Sequence, residues 1–149
     1  MKKKITIWFL CLSILGTHFL NAEEKFLSLK KNKVNVRYGP SFNSKIKYIY
    51  KKINLPVKQI DQKENFRRII DLKNNSGWIH VSQLKKLNSI IVLEDKILFK
   101  KSSSLSRPIA RIEKERLLII SKCENNWCNI TTDGYSGWIK AENVWGSTR

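Results

Sequence analysis

Histidine, cysteine, glycine and acidic residues are all scarce in this 149-residue sequence, and each shortage excludes a kind of chemistry. There are two histidines, three cysteines, six glycines and 12 acidic residues. A structural zinc site needs four Cys or His ligands, and a phosphate-binding loop needs closely spaced glycines; neither pattern occurs. Asp61, Glu64 and Asp71 lack the paired spacing that is typical of general acid–base catalysis. We therefore expect no metal site, no cofactor and no enzymatic activity.

Long apolar runs are also absent, except near the amino terminus. Three lysines at positions 2–4 precede a mostly apolar stretch over residues 5–20, and Ala22 offers a small residue for cleavage. This order is typical of a secretory signal peptide. A spanning helix needs about 20 apolar residues, so an uncleaved anchor is the weaker alternative. We predict that residues 1–22 are removed after Ala22, which leaves a periplasmic or secreted chain without a transmembrane segment.

The motif SGWI occurs twice, at residues 76–79 and 136–139, and it marks an internal repeat. The similarity extends to both sides of the motif. The further aligned segments are 77–84 with 137–144, 65–69 with 126–130, and 34–37 with 97–100. The chain therefore contains two repeats, and we place its two domains at residues 23–87 and 88–149.

Each repeat has the pattern of short β-strands. Val34 and Val36 alternate with polar residues, and the segments IKYIY, PVKQI and FRRIIDL are rich in β-branched and aromatic residues, which favour pleated surfaces. Turn sequences such as Gly39-Pro40 and Asp133-Gly134 separate these segments. No stretch keeps a helical period for more than two turns. We predict an all-β fold of two tandem small barrels, and the short linker at residues 85–89 predicts that they touch.

The segment VNVRYGPS at residues 34–41, together with the late Gly-Trp-Ile, resembles the bacterial SH3-like domain family. The likeness covers nearly all of the chain after the signal segment, twice, and is greatest to exported tandem SH3-like proteins of alphaproteobacteria. The resemblance implies two SH3-like barrels, each with a short helical turn after the late Trp. The second repeat departs from the pattern, because Lys100 takes the place of Arg37 and Ser102-Ser103 that of Gly39-Pro40.

The resemblance also implies a ligand groove between the long early loop and the turn before the late Trp. The candidate ligand-binding residues in the first repeat are Arg37, Tyr38, Tyr48, Phe66, Arg68 and Trp78. Their counterparts in the second repeat are Trp127, Tyr135 and Trp138. Phe66 and Trp78 have an alternative role as residues of the core.

Positive charge is concentrated in the first repeat. Residues 25–87 contain 16 Lys and Arg against 3 acids, a balance of +13, whereas residues 88–149 contain 10 against 7, a balance of +3. Such an excess indicates an anionic partner, although drift in composition is an alternative. We expect a cell-wall polymer, such as peptidoglycan, or a peptide of an envelope protein. A structural adaptor without a small ligand is the competing function. Basic residues among aromatics are also typical of nucleic-acid binding, but the predicted export argues against that partner.

The segment KCENNWCNI predicts a disulfide between Cys123 and Cys128. If Asn125 and Asn126 form a two-residue hairpin turn, the cysteines face each other at a non-hydrogen-bonded site. Their Cα atoms would then lie about 4.5 Å apart, and an oxidising compartment would allow the bond to form. Two free buried thiols are the alternative. The first repeat has Gln62 and Arg67 at the matching positions, so the bond belongs to the second repeat alone.

Overall fold

The computed structural model describes residues 24–146, and the predicted signal peptide lies outside them. The described chain consists of fourteen β-strands and one 3-10 turn at Val81–Gln83, which confirms the all-β prediction. The first seven strands are β1 (Phe26–Leu29), β2 (Val34–Arg37), β3 (Ile46–Tyr50), β4 (Pro56–Lys63), β5 (Phe66–Ile70), β6 (Ser76–His80) and β7 (Leu84–Lys86). The next seven are β8 (Ser89–Val92), β9 (Lys96–Phe99), β10 (Pro108–Ile112), β11 (Leu117–Glu124), β12 (Trp127–Thr132), β13 (Tyr135–Lys140) and β14 (Val144–Trp145). No helix among these residues is long and apolar enough to cross a membrane.

The two halves of the chain form two antiparallel sheets with the same topology. The strand order is β3-β2-β6-β5-β4-β1-β7 in the first sheet and β10-β9-β13-β12-β11-β8-β14 in the second. In the first sheet, Val36 of β2 and Leu84 of the distant edge strand β7 belong to one buried core, together with Ile79. The sheet must therefore curl around that core. Because the second sheet encloses its own core in the same way, two tandem SH3-like barrels are confirmed.

The repeated SGWI motif marks the place where two strands approach closely. A Cβ atom on Gly77 would overlap Val36 Cγ1, and one on Gly137 would lie 2.6 Å from the Phe99 carbonyl oxygen. Only glycine leaves room for that approach. The isoleucine that ends each motif, Ile79 or Ile139, is fully buried in its core, and strand alternation turns the preceding tryptophan outward.

The strand pairing corrects the alignment of the two repeats. Arg37 lies opposite Trp78, and Phe99 lies opposite Trp138. Residues 34–37 therefore correspond to 96–99, and the predicted match to 97–100 was wrong by one residue. The pattern was misleading because Lys96 occupies an inward position, where it is only 7% exposed. Its aliphatic stem is buried while its Nζ reaches Glu94 Oε1 at 3.0 Å.

The second barrel contains the predicted Cys123–Cys128 disulfide. Asn125 and Asn126 both have positive φ, 47° and 64°, as a two-residue hairpin turn requires. The cysteines are cross-strand partners with Cα atoms 4.1 Å apart. Cys128 is fully buried, so the bond faces the core as predicted. The first barrel has Gln62 opposite Arg67 at this site.

The two barrels contact each other through the last described strand. Trp145 of β14 donates a hydrogen bond from Nε1 to the Pro56 carbonyl oxygen of the first barrel at 2.9 Å. Its ring also meets Phe26 edge-on, with ring centroids 5.1 Å apart. An aromatic side chain with a satisfied N–H anchors this contact.

Candidate functional site

Trp78 lies between two arginines on the outer face of the first barrel. Its cross-strand partner on β2 is Arg37, and its partner on β5 is Arg68. Cross-strand partners project from the same face of a sheet, so the three side chains form a row. Arg68 is exposed, whereas Arg37 and Trp78 are half-buried.

This row lines a cleft of about 300 Å³. The other lining residues are Tyr38, Lys47, Ser76 and Gly77. The Lys47 Nζ donates to the Ser76 carbonyl oxygen at 2.8 Å and lies 5.7 Å from the centre of the Tyr38 ring. Three cationic side chains therefore surround the cleft, two aromatic rings border it, and no acidic residue lines it.

Arg37 also holds the early loop, residues 38–45 between β2 and β3, whose Tyr38 lines the cleft. Its Nη1 donates to the carbonyl oxygens of Ser44, at 2.8 Å, and Phe42, at 3.1 Å. The guanidinium lies 5.6 Å from the centre of the Phe42 ring. Phe42 in turn packs against Phe66 and His80, with ring centroids 5.2 and 4.8 Å away. Arg37 is therefore both a structural anchor and a positive charge beside the cleft.

The acids of the first barrel do not neutralise the cleft. The Asp71 carboxylate is buried and accepts hydrogen bonds from Tyr50 Oη, Asn75 Nδ2 and the Lys73 and Asn75 backbone N–H groups. Within residues 24–146, the one salt bridge of the first barrel joins Lys58 to Glu24, whereas the second barrel has four. Asp61 is the cross-strand partner of Arg68 on β4, but the two form no ion pair, and none of the three cations of the cleft has a salt bridge within residues 24–146.

The second barrel has no matching group of charges at this position. Phe99 and Asn129 lie on either side of Trp138, where the first barrel has two arginines. Lys122 Nζ lies 5.1 Å from the centre of the Trp138 ring, so a side chain of the barrel itself already covers that tryptophan. The two barrels thus share a fold but not a site.

Four of the predicted ligand-binding residues meet at the cleft, namely Arg37, Tyr38, Arg68 and Trp78. Tyr48 instead turns toward the core, where its hydroxyl lies 3.3 Å from that of Tyr50, and burial raises its pKa. Phe66 is only 5% exposed and lies beneath Phe42. Lys47 also lines the cleft, although it was not among the predicted ligand-binding residues. The alternation within IKYIY could have identified it, because Lys47 must face outward if Tyr48 faces inward.

The three candidates of the second barrel do not form one site. Trp127 pairs with Lys140 at one end of the β12–β13 hairpin, and Tyr135 pairs with Thr132 at the other end. Five residues of strand separate these ends, which corresponds to about 16 Å. Trp138 lies between them. Among residues 24–146, no three His, Cys, Asp or Glu side chains come together as metal ligands would.

Two antiparallel barrels with the same strand order, one of which carries a cleft bordered by its early loop, define a tandem SH3-like protein. The chain belongs to the bacterial SH3 domain family, whose pattern matches residues 30–86 and again residues 97–146.

Several solved structures are similar to the chain, and two of them come from one organism. One is NlpC2 from Trichomonas vaginalis, with 14% identity, a TM-score of 0.39 and coverage of 83% of this chain and 48% of that one. The other is NlpC1 from the same organism, with 14% identity, a TM-score of 0.37 and coverage of 81% and 45%. The chain therefore spans about half the length of each. A search of curated proteins found no match.

Proposed function

We propose that this is an exported, non-catalytic binding protein whose first barrel holds an acidic peptide of the cell envelope. The observation that carries the proposal is the Arg37–Trp78–Arg68 row in a cleft that no acid lines. An arginine matches a carboxylate with two parallel hydrogen bonds. Within residues 24–146, the Arg68 side chain makes no hydrogen bond to the protein, so its donors are available. The Trp78 ring offers an apolar surface beside the bound carboxylate.

Two observations support export. The amino-terminal pattern is that of a signal peptide, and the Cys123–Cys128 disulfide suits an oxidising compartment. In that compartment, carboxylate-bearing peptides occur in peptidoglycan and in acidic segments of envelope proteins. Mass spectrometry of the protein from its native source should show Glu23 as the first residue. An intact segment 1–22 would contradict export and, with it, this choice of ligand.

Binding to purified peptidoglycan sacculi and to a synthetic glutamate-rich peptide tests the cleft. Residues 23–149 should bind at least one of the two. Arg68→Ala should weaken binding about 10- to 100-fold, because a hydrogen bond to a charged group contributes about 1.5–3 kcal/mol. Asn129→Ala is the matched control, since Asn129 holds the same position beside Trp138 in the second barrel, and it should leave binding unchanged.

Several outcomes would contradict this function. If Arg68→Ala and Asn129→Ala changed binding to the acidic probes equally, the cleft would not be the binding site. Stronger retention by a single-stranded oligonucleotide than by either acidic probe would instead favour the nucleic-acid alternative.

A structural adaptor is a second candidate, and the contact between the barrels favours it. Trp145 bonds the second barrel to Pro56 of the first, which suits a rigid spacer between partners. Failure of the wild-type protein to bind either acidic probe, together with recovery of a stoichiometric protein partner, would support this function.

A further inference from the structure

Five exposed lysines lie together at the end of the first barrel away from the cleft. They are Lys30, Lys31, Lys33, Lys51 and Lys52, here called the lysine end. The first three lie in the β1–β2 loop, and the other two follow β3. The two loops are adjacent, because Val34 pairs with Tyr50 and the Asn54 N–H donates to the Leu29 carbonyl oxygen at 2.9 Å. The cleft residues Arg37 and Lys47 are at the opposite end of the β2–β3 hairpin.

No acid balances the lysine end. Within residues 24–146, none of its five ammonium groups has a carboxylate within ion-pair distance. The neighbouring Asp71 is buried, and its carboxylate is already bonded to Tyr50 and Asn75. Ile53, which directly follows the lysine pair, is 42% exposed. The lysine end is thus a group of solvated cations followed directly in the chain by one exposed apolar side chain.

The same end of the second barrel has the opposite charge. Glu115 has a φ of 68° and donates its N–H to the Val92 carbonyl oxygen at 2.8 Å, as Asn54 does with a φ of 63° in the first barrel. The loops at this end, residues 93–95 and 113–116, contain four acids, Glu94, Asp95, Glu113 and Glu115, against the two bases Lys114 and Arg116, a balance of −2. A general drift toward lysine would have affected both barrels alike, so the lysine end is a local feature.

We propose that the lysine end docks the protein on anionic phospholipid headgroups. Lysine is a flexible point charge that suits diffuse attraction to a charged surface, whereas arginine suits fixed bidentate contacts, and the lysine end contains no arginine. Anionic membrane surfaces attract clustered lysines. An apolar side chain among such lysines can enter the interface between headgroups and acyl chains, and Ile53 is placed to do so.

A second copy of the chain fits the lysine end less well. Two of the four acids at the corresponding end of the second barrel are already engaged, since Glu94 pairs with Lys96 and Asp95 pairs with Arg111. Two copies would also repel each other, because residues 23–149 carry a formal charge of +14, the +17 of the whole sequence less the three lysines of residues 1–22. A membrane surface has neither disadvantage.

Vesicle sedimentation tests the proposal with residues 23–149, which contain every described strand and both cores. The vesicles contain either phosphatidylcholine alone or phosphatidylcholine with about 30% phosphatidylglycerol. We expect binding to the anionic vesicles only, and weaker binding as salt is raised, because the screening length is about 8 Å at physiological ionic strength.

The variant K31E/K33E/K51E/K52E should weaken this binding by about 600-fold or more, since each of the four lysines contributes roughly a factor of five near an anionic surface. The control variant K25E/K45E/K63E/K86E changes the same formal charge at exposed lysines outside the lysine end and should lose only a few-fold. Ile53→Ser should weaken binding several-fold at high salt, whereas Ile60→Ser, at a similarly exposed isoleucine, should not.

Equal losses in the two charge variants would overturn the proposal, because net charge alone would then explain the binding. Equal binding to neutral vesicles would overturn it too, as would lysine-dependent binding to peptidoglycan sacculi without binding to vesicles. Arg68→Ala should keep full vesicle binding. The experiments can therefore refute peptide binding by the cleft and lipid binding by the lysine end independently of each other.

Discussion

The hydroxyl oxygens of Ser28 and Ser89 lie 3.0 Å apart, one from each barrel, and both residues are fully buried. The Ser89 hydroxyl donates to the Asn54 carbonyl oxygen. Since a hydroxyl has a single hydrogen, Ser28 must be the donor in the bond between the two serines. Ser28 in turn accepts from the Asn88 backbone N–H at 3.2 Å. A hydrogen-bond chain of fixed direction therefore joins the two barrels.

Removal of the Ser89 hydroxyl should destabilise the protein. Ser89→Ala leaves the buried Ser28 hydroxyl and the carbonyl of the half-buried Asn54 without this partner, which should lower the free energy of unfolding by about 1–3 kcal/mol. Ser104→Ala, at an exposed serine of the second barrel, should change it by no more than about 0.5 kcal/mol. Urea denaturation measures the free energy of unfolding of both variants. Similar losses in the two would show that the hydrogen bonds of Ser89 do not stabilise the protein.

Addition of a methyl group at Gly77 should disturb the crossing of β2 and β6. The new Cβ would overlap Val36 Cγ1 and lie 3.0 Å from the Arg37 carbonyl oxygen, so Gly77→Ala should cost about 1–3 kcal/mol. Val36→Ala removes one of the clashing atoms. The double variant should therefore be more stable than the sum of the single effects predicts. Strictly additive free energies of unfolding would show that the two residues do not compete for space.

The disulfide should stabilise the second barrel without being essential to the first. Its closed loop is much shorter than the 15-residue loop for which about 3 kcal/mol is expected, so the gain should be smaller than that. After reduction, hydrogen exchange should become faster at Ile130 and stay unchanged at Ile69. Thiol titration of denatured, unreduced residues 23–149 should find no free thiol, and detection of two would refute the bond.

Alkaline pH should destabilise the first barrel through Tyr50. Burial, with hydrogen bonds to Tyr48 and Asp71, raises the pKa of Tyr50 well above its usual value of about 10. The unfolded chain then binds fewer protons than the folded one above about pH 10. The stabilisation is therefore complete below that pH and is lost as the pH rises above it.

Tyr50→Phe tests this dependence. Its unfolding free energy should fall less steeply than that of the wild type between about pH 9 and pH 11, although the variant also loses the bond to Asp71. Tyr135→Phe, at an exposed tyrosine, should retain the wild-type slope. An unchanged slope in Tyr50→Phe would assign the alkaline sensitivity to another group.

Much of the candidate site could be predicted from the sequence because its residues lie beside recognisable local signals. Trp78 belongs to a motif that occurs twice, and Arg37 and Tyr38 precede a Gly-Pro turn. Tyr48 was among the predicted residues and Lys47 was not. Because neighbouring residues of a strand point to opposite faces, only one of the two can face the cleft, and the tertiary structure shows that it is Lys47. Phe66 was misplaced because it lies on the outer face but is covered by Phe42 of the early loop.

The sequence alone determined the all-β class, the two repeats and the disulfide, since strand alternation, turn residues and hairpin geometry all act over a few neighbouring positions. Only the tertiary structure decided which barrel has a cationic cleft. Arg37, Lys47 and Arg68 come from three strands, and the order β3-β2-β6-β5 with its register places them around Trp78. That register depends on long-range pairing, in which a shift of one residue reverses the face of every side chain.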